Sequence, residues 1–143
     1  MPDISIRRAE RSDFKDINHL TDELGYHATL EQTECWLNLM LSSDAHEVFV
    51  AEIESVVGWI SVEKRITLET GIKAEITGMV VDLAVRRKGL GRKLISKAED
   101  WAKQQSLSRI VVRSDIKRDA SHSFYKSAGF IHKKTAHNYV KSI

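Results

Sequence analysis

The feature that most constrains the fold is a strand that enters a glycine turn and leaves it as a long amphipathic helix. Lys73–Asp82 (KAEITGMVVD) is rich in β-branched residues, which predicts a strand. Gly89 and Gly91 mark a turn, and Gly91–Gln105 has the period of a helix. The apolar face of that helix consists of Leu94, Ile95, Ala98, Trp101 and Ala102. A strand, a tight turn and a helix in succession favour an α/β fold.

The other elements follow from the same periodicity rules. Ser12 and Asp13 are expected to cap a first helix that Gly25 ends, and Thr29 is expected to begin a second helix. A last helix is predicted over Ala120–Ser127. The remaining strands are predicted at Ile4–Arg8, Glu47–Glu52, Ser55–Glu63, Arg109–Arg113 and, as one or two strands, Phe130–Val140. The order predicts a single α/β domain over residues 1–143, with a mixed, mostly antiparallel sheet.

Composition excludes several classes of protein. Cys35 is the single cysteine, so no internal disulfide forms, and we expect its thiol to be buried and inert. The six histidines lack ligand spacing, so no metal site is expected. Aromatic residues make up 7% and the cations cluster at one turn, which argues against nucleic acid as a partner. No apolar run is long enough for a membrane span, and the first residues carry acids and arginines where a signal peptide is apolar, which favours the cytoplasm.

Charge is divided unevenly along the chain. Residues 1–71 carry six Lys and Arg against 14 Asp and Glu, whereas residues 72–143 carry 16 against six. This division favours an anionic partner for the second half and permits a cationic partner for the first. Two solvated faces that attract each other across the fold are an equally good explanation.

The basic turn is suited to a polyphosphate. The first turn of a helix presents unpaired amides and a partial positive charge, and glycines allow the backbone to approach a ligand closely. Five cations surround this turn: Arg86, Arg87, Lys88, Arg92 and Lys93. The spacing matches neither a P-loop nor a Rossmann fingerprint. A plain helix-capping turn with solvated charges is the alternative.

Two motifs, in order and context, resemble the GNAT superfamily of N-acetyltransferases. Arg86-x-x-Gly89-x-Gly91 resembles the R/Q-x-x-G-x-G/A signature, between a strand and a long helix as in that family. Phe124-Tyr125-Lys126-Ser127-Ala128-Gly129-Phe130 resembles the F/L-Y-x-x-x-G-F/Y motif. The resemblance covers nearly the whole chain. It implies a sheet splayed at its fourth strand and flanked by about four helices, acetyl-CoA as donor and an amine as acceptor.

The resemblance also implies where acetyl-CoA would bind. The backbone of Met79, Val80 and Val81 would pair with the pantetheine arm. The turn and helix start would hold the pyrophosphate through Arg86, Arg87, Lys88, Gly89, Leu90, Gly91 and Arg92. Arg118 stands where the family often has an asparagine that holds pantetheine, and here it is expected to reach a phosphate of CoA. Gly78 supports this arrangement from the sequence alone, because a glycine inside a strand marks a bulge or a close backbone approach.

Two residues are candidates for the chemistry. Tyr125 occupies the position where the family often has a general acid, which would protonate the departing thiolate of CoA. The alternative is a core tyrosine. Glu75 lies six residues before Val81, where some members have a general base. An exposed strand residue is the equally weighted alternative for Glu75.

The resulting expectation is direct acetyl transfer from acetyl-CoA to a primary amine of a small molecule, within a ternary complex. The acceptor could be cationic, since the first half of the chain is acidic. Protein or peptide acetylation and a non-catalytic acyl-CoA sensor are the alternatives. A homodimer is left open.

Overall fold

The structure is a computed structural model that describes residues 3–85, 89–113 and 119–143, the side chains of 119–122 excepted. The chain divides into two compact units, Met1–Val112 and Arg113–Ile143, and each is described by itself.

The first unit is built on a sheet whose strands lie side by side in chain order. Its described strands are β1 (Ser5–Arg8), β2 (His46–Ile53), β3 (Ser55–Thr67), β4 (Gly71–Val81) and β5 (Ile110–Val112). Neighbouring strands from β1 to β4 are antiparallel, and β4 and β5 are parallel. The predicted mixed, mostly antiparallel sheet is confirmed.

The helices of the first unit cover both faces of this sheet. They are α1 (Phe14–Glu23), α2 (Leu30–Leu41) and α3 (Leu90–Gln104). Residues of α1 and α2, among them Ile17, Leu20 and Leu37, form a core with Val48, Val50 and Val80 of the sheet. On the opposite face α3 buries the five residues that its periodicity predicted, together with Leu90.

Local signals place the helix ends well. The Thr29 hydroxyl accepts a hydrogen bond from the Gln32 amide, and the side-chain oxygen of Gln32 accepts one from the Thr29 amide. These two bonds form a capping box at the start of α2. Asp13 directly precedes α1, but its carboxylate does not cap the helix as predicted. It accepts instead from the guanidinium of Arg7 at 2.9 and 3.0 Å and from the Glu10 amide at 2.7 Å. This buried ion pair ties β1 to the start of α1.

The second unit contains α4 (Asp119–Ser127), followed by residues 130–143, which have no strand or helix. The strands predicted over Phe130–Val140 are therefore wrong for this structure. Ile131, Tyr139 and Val140 are exposed, so these β-forming residues are not buried against a sheet in this structure. Cys35 is also exposed, contrary to prediction, because it lies on the solvent side of α2.

Candidate active site

The edge of the site is defined by a bulge in β4. Ser61 of β3 pairs with Gly78, whereas the next residue, Val62, pairs with Ile76, so Thr77 is an extra residue in β4. The Thr77 hydroxyl lies 2.7 Å from that of Ser61, which holds the bulge from the side. The irregularity that Gly78 predicted is therefore present.

Gly78 is explained by a close approach, although the approaching group is a side chain. A Cβ atom at Gly78 would lie 2.7 and 2.8 Å from two carbons of the six-membered ring of Trp59. Trp59 in turn donates from its indole nitrogen to the Thr21 hydroxyl at 3.2 Å. Because Gly78 has no side chain, the Trp59 ring can pack against the bulge while its indole nitrogen reaches Thr21 of α1.

β4 continues beyond the part of it that pairs with β5. Within the described residues, the parallel pairing with β5 covers Ala74, Ile76 and the residue between them. β4 itself continues to Val81. The splaying predicted at the fourth strand stays a prediction, because the residues between Arg113 and Asp119 lie outside the described part of the chain. Met79, Val80 and Val81 all lie in the stretch past the bulge, with the Val80 side chain packed into the core under α1 and α2.

Glu75 lies on β4 just before the bulge and is 8% exposed. The alternative of an exposed strand residue is therefore wrong. Arg65 of β3 donates from Nη1 to Oε1 of Glu75 at 2.7 Å. A buried carboxylate needs such a partner, because burial without one costs several kcal/mol by common estimates. The structure thus holds an oriented carboxylate, paired with Arg65, beside the bulge in β4.

Glu63 and His46 form a second polar group on the same face of the sheet, and the sequence analysis did not predict it. Glu63 is directly opposite Glu75, and His46 of β2 is directly opposite Glu63. His46 Nε2 lies 3.2 Å from Oε2 of Glu63, and its Nδ1 lies 2.8 Å from the Ser43 hydroxyl. Charged residues recur at every second position of Glu63-x-Arg65 and Lys73-x-Glu75, which was a signal for one polar face. The alignment of the two segments, however, depends on the bulge.

The glycine turn leads from β4 into α3. The Asp82 carboxylate accepts from the Ala84 amide at 2.9 Å and so stabilises a short 3₁₀ turn over Leu83–Val85. Gly89 precedes α3 with φ of 76°, a left-handed conformation that favours glycine. Leu90 is buried and belongs to the apolar face of α3.

Part of the predicted phosphate site cannot be placed. Arg86, Arg87, Lys88 and Arg118 lie outside the described residues. Gly91 and Arg92 lie in the first turn of α3, as the expectation requires.

Tyr125 lies on α4, in the second unit, and the motif around it ends that helix. The Phe130 amide donates to the carbonyl of Tyr125 at 3.0 Å, and the Gly129 amide donates to that of Lys126 at 3.1 Å. With Gly129 at φ of 95°, these bonds form a Schellman motif. The rings of Tyr125 and Phe130 supply its apolar contact, with centroids 5.8 Å apart. Gly129 and the rings of Tyr125 and Phe130 therefore have a structural role at the end of α4.

The residues that the structure describes contain no group of three or more His, Cys, Asp or Glu arranged to hold a metal ion. None of their helices is both long and apolar enough to cross a membrane.

The arrangement agrees with the comparisons to known proteins. Residues 7–130 match the family described as "Acetyltransferase (GNAT) family". The chain belongs to the GNAT family of acetyltransferases. The resemblance drawn from the two sequence motifs is thereby confirmed.

Individual relatives are distant in sequence and similar in fold. The chain is 26% identical over 141 residues to a probable glucosamine 6-phosphate N-acetyltransferase of Oryza sativa subsp. japonica, covering 91% of this chain and 83% of that protein. The solved structure of aminoglycoside N-acetyltransferase AAC(6')-Iy in complex with CoA is similar, with a TM-score of 0.91, 16% identity and coverage of 100% and 97%. The same enzyme with a bisubstrate analogue, CoA-S-monomethyl-acetylneamine, gives 0.88, 16% identity and coverage of 99% of each chain.

Proposed function

We propose that this acetyltransferase moves the acetyl group of acetyl-CoA directly to a primary amine of a small molecule. The observation on which the proposal rests is Glu75, a buried and ion-paired carboxylate next to the bulge in β4. The edge of β4 beyond the bulge suits an extended pantetheine arm, because a strand edge offers backbone groups to a partner that lies along it.

The donor is proposed to lie along β4 and across the start of α3. Backbone groups of Met79 and Val81 would pair with pantetheine, and the amides at Leu90 and Gly91 would face the pyrophosphate. A structure similar in fold contains CoA, which supports this choice of donor. No metal is needed in this scheme.

The proposed chemistry is a single displacement. The amine nitrogen attacks the thioester carbonyl, the Val81 amide stabilises the oxyanion, and the C–S bond then breaks. Glu75 accepts the proton that the ammonium must lose before it attacks, and the Tyr125 hydroxyl protonates the departing thiolate. Tyr125 then regains a proton from the nitrogen of the new amide, which still carries one more than the product. Holding both reactants in a ternary complex supplies much of the rate. A bisubstrate analogue bound to a protein of similar fold supports simultaneous binding of donor and acceptor.

The acceptor is proposed to be an amino sugar. The relatives named above act, by their descriptions, on glucosamine 6-phosphate and on aminoglycosides, both of which carry amines on a sugar. Trp36 on α2 and Tyr26, between α1 and α2, are more than half exposed, and aromatic side chains of this kind commonly line ligand sites.

The acidic first half of the chain supports a cationic acceptor. Glu31 and Glu34 are exposed on α2, and on α1 Asp22 and Glu23 pair with His27 and His19. Exposed acids attract cations over about 8–10 Å at physiological salt. The apparent affinity for a cationic amino sugar should therefore fall as salt rises, while that for a neutral amine of similar size should stay constant. Equal use of both amines at low salt would contradict this charge preference.

The test of the function is a thiol-release assay with acetyl-CoA and a panel of amino sugars, polyamines, amino acids and peptides. Thiol release that depends on an amino sugar, with the acetylated sugar detected by mass spectrometry, supports the proposal. Release with peptides alone would favour protein acetylation. Tight binding of CoA without turnover on any amine would favour a sensor.

A further inference from the structure

Four charged or polar side chains form a row across three adjacent strands. His46, Glu63 and Glu75 occupy directly opposed positions on β2, β3 and β4, and Arg65 is two residues from Glu63 on β3. Side chains directly opposite each other on antiparallel strands have Cβ atoms about 4.5–5.5 Å apart. All four lie on the face of the sheet that carries α1 and α2, because residues on this register share the face of Val48 and Trp59.

The row places two carboxylates next to each other, an arrangement that is unfavourable in itself. Like charges directly opposite on neighbouring strands destabilise a sheet. Here each carboxylate has a partner of its own: Arg65 lies 2.7 Å from Glu75, and His46 lies 3.2 Å from Glu63. Arginine keeps its charge at all relevant pH values, whereas histidine gains or loses a proton near neutrality. The row therefore has two carboxylates and one permanent positive charge, and one additional proton makes its net charge zero.

The row also leads from a buried group to a more exposed one. The Glu75 side chain is 11% exposed, that of Glu63 28% and that of His46 31%. The Ser43 hydroxyl holds Nδ1 of His46 at 2.8 Å, which directs Nε2 towards Glu63. Strand register places Glu63 next to Glu75, and His46 contacts Glu63, so proton acceptors follow one another from the buried Glu75 towards water.

We propose that Glu63 and His46 relay the proton from Glu75 to solvent after each transfer. The inference rests on the proposed role of Glu75 as the general base. The ammonium of the acceptor loses its proton to Glu75, Glu75 passes a proton to Glu63, and Glu63 passes one to Nε2 of His46. His46 then releases its proton to water through Nδ1, on the side of Ser43. No bond other than N–H and O–H bonds is made or broken in the relay, and Glu75 returns to the carboxylate that Arg65 holds.

The other charged groups near the row do not replace these members. Lys73 is opposite Arg65, but its ammonium donates to the Thr70 hydroxyl at 2.6 Å, towards the tip of the hairpin. Asp44 precedes β2 and is exposed. The last turn of α2, which packs on β2, has no charged residue (NLML). The acids of α2, Glu31 and Glu34, lie near its other end.

The test is chemical rescue of a His46→Ala variant, measured as kcat at saturating acetyl-CoA and amine. We expect kcat to fall by about tenfold or more, with the KM of acetyl-CoA unchanged, and to recover in a saturable manner as imidazole is added. His46→Gln, which preserves the approximate size and one hydrogen bond, should have a lower kcat that imidazole does not restore. His132→Ala is the matched control: His132 is exposed after α4 and lies 3.3 Å from the Thr135 hydroxyl, so its loss should change neither kcat nor the response to imidazole.

Two outcomes overturn the relay. One is a kcat for His46→Ala equal to that of the wild type. The other is a reduced kcat that imidazole does not raise in a folded variant, with folding checked by circular dichroism. Failure of the proposed function is distinguishable, because the wild-type protein would then release no thiol with any amine, or Glu75→Gln would transfer acetyl groups as well as the wild type.

Discussion

The ring of Trp59 occupies the space that a Cβ atom at Gly78 would fill, with two ring carbons 2.7 and 2.8 Å from that position. A real Cβ cannot be this close, so any side chain at position 78 must displace the indole. Because the indole also donates to Thr21, its displacement would loosen the contact between β3 and α1. The positions of the bulge, Gly78 and Trp59 therefore depend on one another, and all three lie close to Glu75 along the sheet.

Gly78→Ala should therefore destabilise the protein by about 1–3 kcal/mol, the usual cost of overpacking. The carbons in question belong to the six-membered ring of the indole, which phenylalanine does not reproduce at the same reach. A double-mutant cycle with Trp59→Phe should show that the second substitution recovers part of the loss. Strictly additive unfolding free energies in urea would contradict the contact.

The ion pair between Arg7 and Asp13 should dominate the acid sensitivity of the first unit. Burial raises the pKa of Asp13, but the hydrogen bonds from Arg7 and the Glu10 amide, together with the charge of Arg7, outweigh burial and lower the pKa below its ordinary value. A carboxyl with a depressed pKa contributes stability above its unfolded pKa of about 3.9, and this contribution is lost as the pH falls through the folded pKa.

Asp13→Asn should accordingly cost about 3 kcal/mol at pH 7, as expected when one partner of a buried pair is removed. Glu52→Gln is the matched control, because Glu52 binds the same Arg7 at 3.3 Å from a more exposed position, and it should cost less than about 1 kcal/mol. The free energies of unfolding of wild type and Asp13→Asn should converge below about pH 4. A constant difference across the pH range would show that the charge of Asp13 is not involved.

Much of the fold follows from local sequence signals. The buried face of α3, the Thr29 capping box and the irregularity at Gly78 all depend on residues within a few positions of each other, and all three agree with the structure. By contrast, β-forming residues over 130–143 do not form a strand, because pairing depends on a partner that local sequence does not specify.

The candidate site was predictable only in part for the same reason. Glu75 and Tyr125 followed from the family motifs, and neither Arg65 nor His46 could be connected to Glu75 without the register of β3. That register changes at Thr77 by one residue. Had the strands paired without the bulge, the residues on one side of it would have faced the opposite side of the sheet.

Donor binding should depend on the open space at Gly89. Among the described residues, no atom would lie within 4 Å of a Cβ at Gly89, but φ of 76° makes any side chain strained. Gly89→Glu should abolish the thermal stabilisation by acetyl-CoA through bulk and negative charge. Gly89→Asn controls for the strain, since asparagine tolerates this conformation best among other residues, and it should retain most of the stabilisation. Equal stabilisation of wild type and Gly89→Glu would place the donor elsewhere.

Tyr125→Phe should lower turnover more than donor affinity. The ring, and with it the contact to Phe130, is preserved, so the substitution removes the hydroxyl alone. If that hydroxyl protonates the thiolate, kcat should fall by about 10- to 100-fold while the KM of acetyl-CoA stays constant. Phe130→Leu is the control, which should lower the melting temperature and leave kcat unchanged. An unaltered kcat in Tyr125→Phe, with the chemical step rate-limiting, would remove the hydroxyl from the mechanism.

The central claim is that Glu75 is the base of an amine acetyltransferase, and the pH dependence of kcat/KM for the amine tests it most directly. Glu75→Gln keeps the size of the side chain and an oxygen for Arg65, and Glu69→Gln, in the exposed turn between β3 and β4, is the matched control. We predict that Glu75→Gln lowers kcat/KM by about 10²–10³ at pH 7 and recovers as the pH rises and the free amine becomes abundant, whereas Glu69→Gln follows the wild type. A Glu75→Gln profile that coincides with that of the wild type would contradict the account.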